Sequence, residues 1–313
     1  MHVKWHKQGL VYSVEGQSEW AHSHTHKPTP LLVDAHTLRI YFGVRGTDGR
    51  TRTTFIDVDP DDPLRVLRVA PIPILDLGRI GAFDDSGANV CSVIRKDDLI
   101  YMYYIGWNPS TTVHTRNSIG VAISTDGGET FERAWFGPIL DRNRDEPYYT
   151  GAVEVMPEHG RFRMWYTSVT EWVMINGKPE IRYHIKYAES PDGIDWRRPG
   201  ISCIPPNHPE EATARPSVLR IGDEYLMWYS RRHINGFRSR RESMYRAGFA
   251  RSKDGIAWVR EDDLAGIEPS GSGWDGDAIA YPYAIYVNGR LMLFYNGNDF
   301  GRSGFGYAIG EVV

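Results

Sequence analysis

Three stretches decide how this chain folds: "GVAISTDGGETFERA" (residues 120–134), "KYAESPDGIDWRRPG" (186–200) and "GFARSKDGIAWVRED" (248–262). Each opens as a short strand, turns through Ser-x-Asp-Gly, and leaves on an aromatic residue followed by an arginine. The serines, Ser124, Ser190 and Ser252, lie 66 and 62 residues apart. Asp-Gly suits a tight turn because glycine reaches positive φ without steric cost. The aromatic then starts the next strand and packs over the turn.

Working outward, a second element recurs five times: "LRIYFGVRG" (38–46), "DLIYMYYIGWN" (98–108), "GRFRMWYTSVTEW" (160–172), "DEYLMWYSRRH" (223–233) and "GRLMLFYNGND" (289–299). A short apolar run precedes each copy: "PLLVD", "NVCSVIRK", "GAVEVMPE", "PSVLRIG" and "YPYAIYVNG". Adding the box strand and the one after it gives four strands per unit. Five units of about 60 residues predict an all-β, five-bladed β-propeller spanning 1–313 as a single domain. The last unit stops at "GYAIGEVV", one strand short. The basic, aromatic and apolar "VKWHKQGLVYS" near the N-terminus is expected to complete it, with residues 3–13 beside 305–312, which also removes a free sheet edge.

Bulk properties agree with strands. Aromatic residues are 12% of the 313-residue chain, with 32 Gly and 19 Pro, a composition that favours sheets and turns. A formal charge of −4 and a pI near 6.3 do not suggest a nucleic-acid surface. Two cysteines, Cys91 and Cys203, are too few for a disulfide framework. The opening "MHVKWHKQGLVYS" has no apolar stretch of signal-peptide type, and no run of membrane-spanning length follows. The expectation is therefore a cytoplasmic protein without a membrane or nucleic-acid partner; the sequence leaves oligomeric state open.

The stretches "HSHTHKPTP", "GAFDDSGANV", "YIGWN", "NSIGVAISTDGGETF", "WYSRR" and "GWDGDAIAYP" resemble glycosyl-hydrolase-like five-bladed propellers, distant relatives of glycoside hydrolase families 32, 43, 62, 68 and 130. Such proteins are often associated with bacterial polysaccharide or sugar-modifying gene sets. The resemblance implies a ligand funnel at the propeller axis, where inner strands deliver carboxylates that act as acid and as base or nucleophile. The first blade of those relatives commonly contributes an Asp. Here that place holds His24, Thr25, His26, Lys27 and Pro28.

Residues entering each inner strand are the candidates for chemistry. "FDDSG" offers Asp84 and Asp85 as acid, base or positioning carboxylates, the alternative being a capped Asp-Ser-Gly turn. "RNRDEPYYTGAVEV" offers Glu146 beside Tyr149, with Glu154 within the strand as a further carboxylate or a structural one. "GWDGDAIAYP" offers Asp275 as a catalytic partner and Asp277 as a binding residue. Arg215 and the run Arg231–Arg232–His233 suit an acidic sugar, a phosphate or a nucleotide-sugar diphosphate, or ion pairs within the fold; Lys27 favours the same ligands, and Arg45 is a further binding candidate. Trp107 can stack on a sugar face, as can Trp274 and Trp172, or all three can be packing.

His22, His24 and His26 alternate in "HSHTH". Same-face residues two apart are separated by roughly 6.5–7 Å along a strand, so three in a row do not converge on one ion without a bend. His24 and His26 are read as pocket-lining groups beside Lys27, and no metal or other cofactor is expected. The leading functional expectation is an enzyme cleaving or rearranging a glycosidic bond, with Asp84 or Asp85 paired with Glu146 or Asp275. A phosphorylase or nucleotide-sugar-processing enzyme and a non-catalytic glycan-binding propeller are the alternatives. The partner in each case is a saccharide or sugar nucleotide.

Overall fold

A computed structural model describes residues 2–313. The chain is built almost wholly of strands: β1 (Val3–Tyr12), β2 (Ser23–Asp34), β3 (Thr37–Arg45), β4 (Thr51–Val58), β5 (Val66–Val69), β6 (Gly87–Lys96), β7 (Leu99–Asn108), β8 (Arg116–Ser124), β9 (Glu132–Arg133) and β10 (Thr150–Glu158). There follow β11 (Arg161–Ile175), β12 (Lys178–Ser190), β13 (Ser202–Ile204), β14 (Glu211–Ile221), β15 (Glu224–His233), β16 (Arg246–Ser252), β17 (Val259–Arg260), β18 (Ala280–Val287), β19 (Arg290–Asn296) and β20 (Phe305–Val312). No described helix is long and apolar enough to cross a membrane.

Pairing groups these strands into antiparallel meanders of four: β2–β5, β6–β9, β10–β13, β14–β17, and β18–β20 with β1. The first two meanders touch through one parallel bridge, Thr51 with Gly87. β1 pairs with β20 from Val3↔Val312 to Tyr12↔Phe305, the pairing expected from the short last unit. The first strands β2, β6, β10, β14 and β18 pack each against the next, and β18 returns to β2.

The core lies between neighbouring meanders rather than within one. Tyr41 and Phe55 of the first unit pack with Val90, Met102 and Tyr104 of the second. Trp165, Tyr187 and Cys203 of the third unit pack with Met227 and Tyr229 of the fourth. The Ser-x-Asp-Gly turns lock these interfaces. Ser124, Ser190 and Ser252 donate to Asp126, Asp192 and Asp254 at 2.6, 2.8 and 2.9 Å. The same hydroxyls accept from the turn amides of Gly128, Gly193 and Gly255. Each of those glycine carbonyls then accepts from the preceding unit, from Tyr41 (3.1 Å), Tyr103 (3.0 Å) and Trp165 (2.8 Å). All three donors are the fifth residue of their unit's second strand. The repeat thus satisfies its own backbone and binds consecutive units in one motif.

Candidate functional site

The first strands are irregular where they converge. Each carries a register shift: between His26 and Thr29, Val90 and Ser92, Thr150 and Val153, Ala214 and Ser217, and Ala280 and Tyr283. Bulges re-aim side chains and are frequent beside active sites. In three units the bulge holds a non-glycine residue at positive φ just before a proline: Lys27 (φ 56°), Arg215 (φ 55°) and Tyr281 (φ 53°). His24 (φ 63°) and Phe300 (φ 59°) add to the group. Such backbone is strained for side chains with a Cβ and persists only where the surroundings enforce it. Here Asn296 enforces it, its Oδ1 accepting from the Lys27 amide at 2.8 Å and its Nδ2 donating to the Thr25 carbonyl at 2.7 Å.

A cavity of about 500 Å³ lies at this convergence, within the range of small-molecule sites. His24, His26, Lys27 and Arg45 line it from the first unit, and Asn89, Trp107, His114 and Asn117 from the second. Ile181 and Tyr183, on the long β11–β12 hairpin, supply the third side. Arg232, Phe237 and Tyr245 come from β15 and the loop after it, and Tyr281 and Phe300 from the last unit. Among the described residues lining the cavity there is no aspartate or glutamate.

Its electrostatics follow from that composition. Burial, with Arg45 and Arg302 nearby, lowers His24 to about 4. His26 is held well below its ordinary value by burial and by the charges of His24, Lys27 and Arg45. Both imidazoles are neutral at pH 7, and their rings stack 4.7 Å apart, whereas His22 is exposed. Burial brings Lys27 down to about 8, against the opposing effect of Cys91, with Arg215 and Arg45 adding repulsion. At neutral pH the pocket therefore presents a lysine able to donate a proton and imidazoles able to accept one.

Arg45 is half-buried, and its Nε meets no hydrogen-bond acceptor. The Arg232 Nε donates to the Tyr183 hydroxyl at 2.7 Å and one amino group to the His233 carbonyl at 2.8 Å. The guanidinium carbon of Arg232 lies 3.6 Å from the Phe237 ring centroid and 4.9 Å from that of Tyr183. Trp107 is seated by Gly87, where a Cβ would overlap the indole.

Beyond Lys27 along β2, the axis is closed by groups from all five first strands. Arg215, fully buried, donates to the Cys91 carbonyl (2.6 Å) and to Thr29 Oγ1 (3.0 Å). Tyr283 donates to Glu154 at 3.1 Å, leaving the other Glu154 oxygen without a partner. Burial pushes Glu154 up to about 8 despite the Arg215 charge and the Tyr283 hydrogen bond.

The expected acid–base carboxylates lie elsewhere and do not meet one another. Asp84 accepts from Tyr104 (3.0 Å) and Arg133 (2.6 Å). Glu146 accepts from Tyr166 (2.8 Å) and pairs with Lys186 and Arg198, both at 3.2 Å. Asp275 accepts from Tyr295 (3.0 Å) and Lys7 (2.6 Å). Each is buried and held inside its own unit by a phenol 20 residues downstream and a cation from a later part of the unit, although the Asp84 Oδ1 is left without a partner. Asp85 caps its own turn, accepting from the Gly81 amide and Ser86. Asp277 pairs with Arg241 at 3.1 Å.

Of the expected binding residues, His24, His26, Lys27, Arg45 and Trp107 line the cavity. Arg215 lies in the axial cluster beyond it. Tyr149 is buried against Trp172, and Arg231 sits 3.8 Å from Asp262, neither lining the cavity. Strand alternation puts Arg232 there instead of its neighbour Arg231. The sequence reading passed over Tyr281, although "YP" at 281–282 repeats the "KP" and "RP" signal of Lys27 and Arg215.

No family model matches the chain. Two uncharacterized proteins of Mycobacterium tuberculosis, MT1551 and Rv1502, are 34% identical to it over 99% of this chain and 100% of their own length. Among solved structures, a GH130-family glycoside hydrolase described as targeting β-1,2 mannosidic linkages in Candida mannan superposes with a TM-score of 0.75 at 13% identity, over 99% of this chain and 94% of that one. A glycosyl hydrolase from Bacteroides ovatus gives 0.71 at 14% identity over 99% and 94%, and a thermostable family-43 glycoside hydrolase 0.61 at 15% identity over 94% and 90%. The chain belongs to the family of the two mycobacterial proteins, with the fold of glycoside-hydrolase-like proteins.

Proposed function

We propose that the five four-stranded units are the blades of a single closed propeller spanning 1–313, and that the protein is a carbohydrate-active enzyme holding a saccharide in the axial cavity. One observation carries this reading: a cavity of sugar size at the convergence of strained first strands, lined by an indole, phenols and amides. Trp107 offers an apolar face for a pyranose ring, while Asn89, Asn117 and Thr51 suit hydroxyls. His24, His26, Lys27 and Arg45 complete the binding set. The paired Asp84, Glu146 and Asp275 act in this reading as supports of their blades, since each is already held by a phenol and a cation. Proton transfer falls to Lys27 as donor and to a neutral imidazole as acceptor.

The test is calorimetric binding and turnover across a panel of glycosides, sugar phosphates and nucleotide sugars. Trp107→Ala should weaken saccharide binding about tenfold or more, the range of a buried aromatic contact. Binding of the tightest saccharide within twofold of wild type in that variant would rule the cavity out. A second reading, a non-catalytic glycan-binding propeller, is favoured by the carboxylate-free lining. Binding without turnover, with and without inorganic phosphate, would select it.

A further inference from the structure

We propose that the saccharide carries its own fixed negative charge, a carboxylate or a phosphate, and that Lys27, Arg45 and Arg232 hold that group in the axial cavity. The inference rests on the saccharide-binding reading above and names the class of sugar.

The argument begins with what these three cations lack. Among the described residues, none of them has a carboxylate within 4.0 Å. Removing charge from water without an opposite partner costs several kcal/mol; Arg215, beyond the cavity, meets that cost with carbonyl and hydroxyl oxygens, and other cations of this chain meet it with carboxylates. Arg133, Arg198, Arg260 and Lys7, all partly buried, sit on carboxylates at 2.6 to 3.2 Å. A counter-ion supplied by the ligand resolves the exception.

Geometry supports the assignment. The Arg45 Nε is a buried donor without an acceptor. The rings of Phe237 and Tyr183 hold the Arg232 guanidinium while two of its three nitrogens are engaged. Guanidinium groups bind oxyanions strongly. Lys27 is fixed by a bulge and by Asn296 rather than by an ion pair. The mutual repulsion that Arg45 and Arg215 impose on Lys27 is what a bound anion would relieve. Beside the cations, Asn89 Oδ1 is a buried acceptor without a donor, a place for a sugar hydroxyl. An inorganic anion alone would leave that acceptor and the Trp107 face unused.

The full chain should be titrated calorimetrically with glucose, glucuronate, glucose 1-phosphate, glucose 6-phosphate, galactose, galacturonate and inorganic phosphate, at low and high salt. An acidic sugar should bind about tenfold or more tightly than its neutral counterpart, with the advantage shrinking in salt. The uronate and phosphate arms identify which oxyanion is preferred. Because Arg232 is packed among rings, Arg45→Gln and Lys27→Met carry the mutational test, with folding checked by thermal melting. Each should bring the acidic-to-neutral affinity ratio to within about threefold of unity. Equal affinity for neutral and acidic sugars overturns the inference and leaves the saccharide reading standing. Binding of inorganic phosphate alone also overturns it. If no saccharide of either kind binds, both readings fail.

Discussion

The cations on the flanks of the four-stranded units and those at the axis where the first strands converge are the same residue types in opposite circumstances. On the flanks, an acid, a phenol and a cation form a paired set: Asp84, Tyr104 and Arg133, then Glu146, Tyr166 and Arg198. Glu211, Arg260, Asp262 and Tyr229 make the fourth unit's version, and Asp275, Tyr295 and Lys7 the fifth's. At the axis, Lys27, Arg45 and Arg232 face a cavity with no acid in its lining. Charge on the flanks is neutralised within the fold, and charge lining the cavity is, in the inference above, met by the ligand. The carboxylates expected as acid and base belong to these paired sets and not to the cavity lining.

The largest expected effect breaks the flank. Glu211 is buried, and both of its oxygens receive Arg260, at 2.9 and 2.8 Å. Glu211→Ala removes both of those charged hydrogen bonds, leaves the guanidinium with Asp262 as its one carboxylate, and should cost roughly 2–4 kcal/mol of stability, measured by urea denaturation. A loss below about 1 kcal/mol, the worth of an exposed pair, would remove the distinction between flank and axis.

An intermediate effect concerns the axial cluster. Glu154 has a folded pKa near 8, raised chiefly by burial in spite of Arg215 and Tyr283. The native state therefore holds a proton that the unfolded chain releases at lower pH. Stability from this group is fully present below the ordinary carboxyl range and is lost as pH rises toward 8. Lys27 and the two imidazoles also titrate nearby, so the comparison is with Glu154→Gln. Relative to that variant, wild type should lose stability on the order of 1–3 kcal/mol between pH 5 and 8. A flat difference in urea titrations across this range would mean Glu154 is ionised throughout.

Much of the fold was legible because repeats are written redundantly. Ser-x-Asp-Gly occurs three times and the aromatic second strand five times, so one obscured copy does not hide the pattern. The pairing of β1 with β20 followed from a missing strand. The site was legible only in part. His24, His26, Lys27, Arg45 and Trp107 lie on strands whose ends the repeat already placed at the axis. Tyr183, Tyr245 and Phe237 reach the cavity on a long hairpin and a loop that belong to single units, and no repeat marks them. By position, an acid entering a first strand serves chemistry or its unit's own ion pair equally well, and the structure places these carboxylates in ion pairs outside the cavity lining. The discriminating signal was present, since Asp84, Glu146 and Asp275 each precede a tyrosine by 20 residues. A residue type that recurs at one phase of the repeat is more simply structural than catalytic.

The smallest effect sharpens the comparison most. Lys27 is half-buried in the cavity lining, repelled by Arg45 and Arg215, unpaired with any carboxylate, and held at a φ of 56°. If its charge serves a ligand, it contributes nothing favourable to the empty fold. Its folded pKa of about 8 lies below its ordinary 10.5, so the unfolded chain binds the extra proton between those values. Wild-type stability should accordingly carry the full cost of the buried charge below pH 8 and recover as pH rises through that window. Lys27→Met keeps the length of the side chain and deletes the charge. At pH 7 it should leave stability unchanged or raise it by about 0.5–2 kcal/mol, the range for relieving a functional-site compromise. The difference from wild type should narrow above pH 8. Loss of more than about 1 kcal/mol at pH 7, as ordinary buried-site substitutions give, would show that Lys27 stabilises the empty fold, and the axis would then be one more paired set like the flanks.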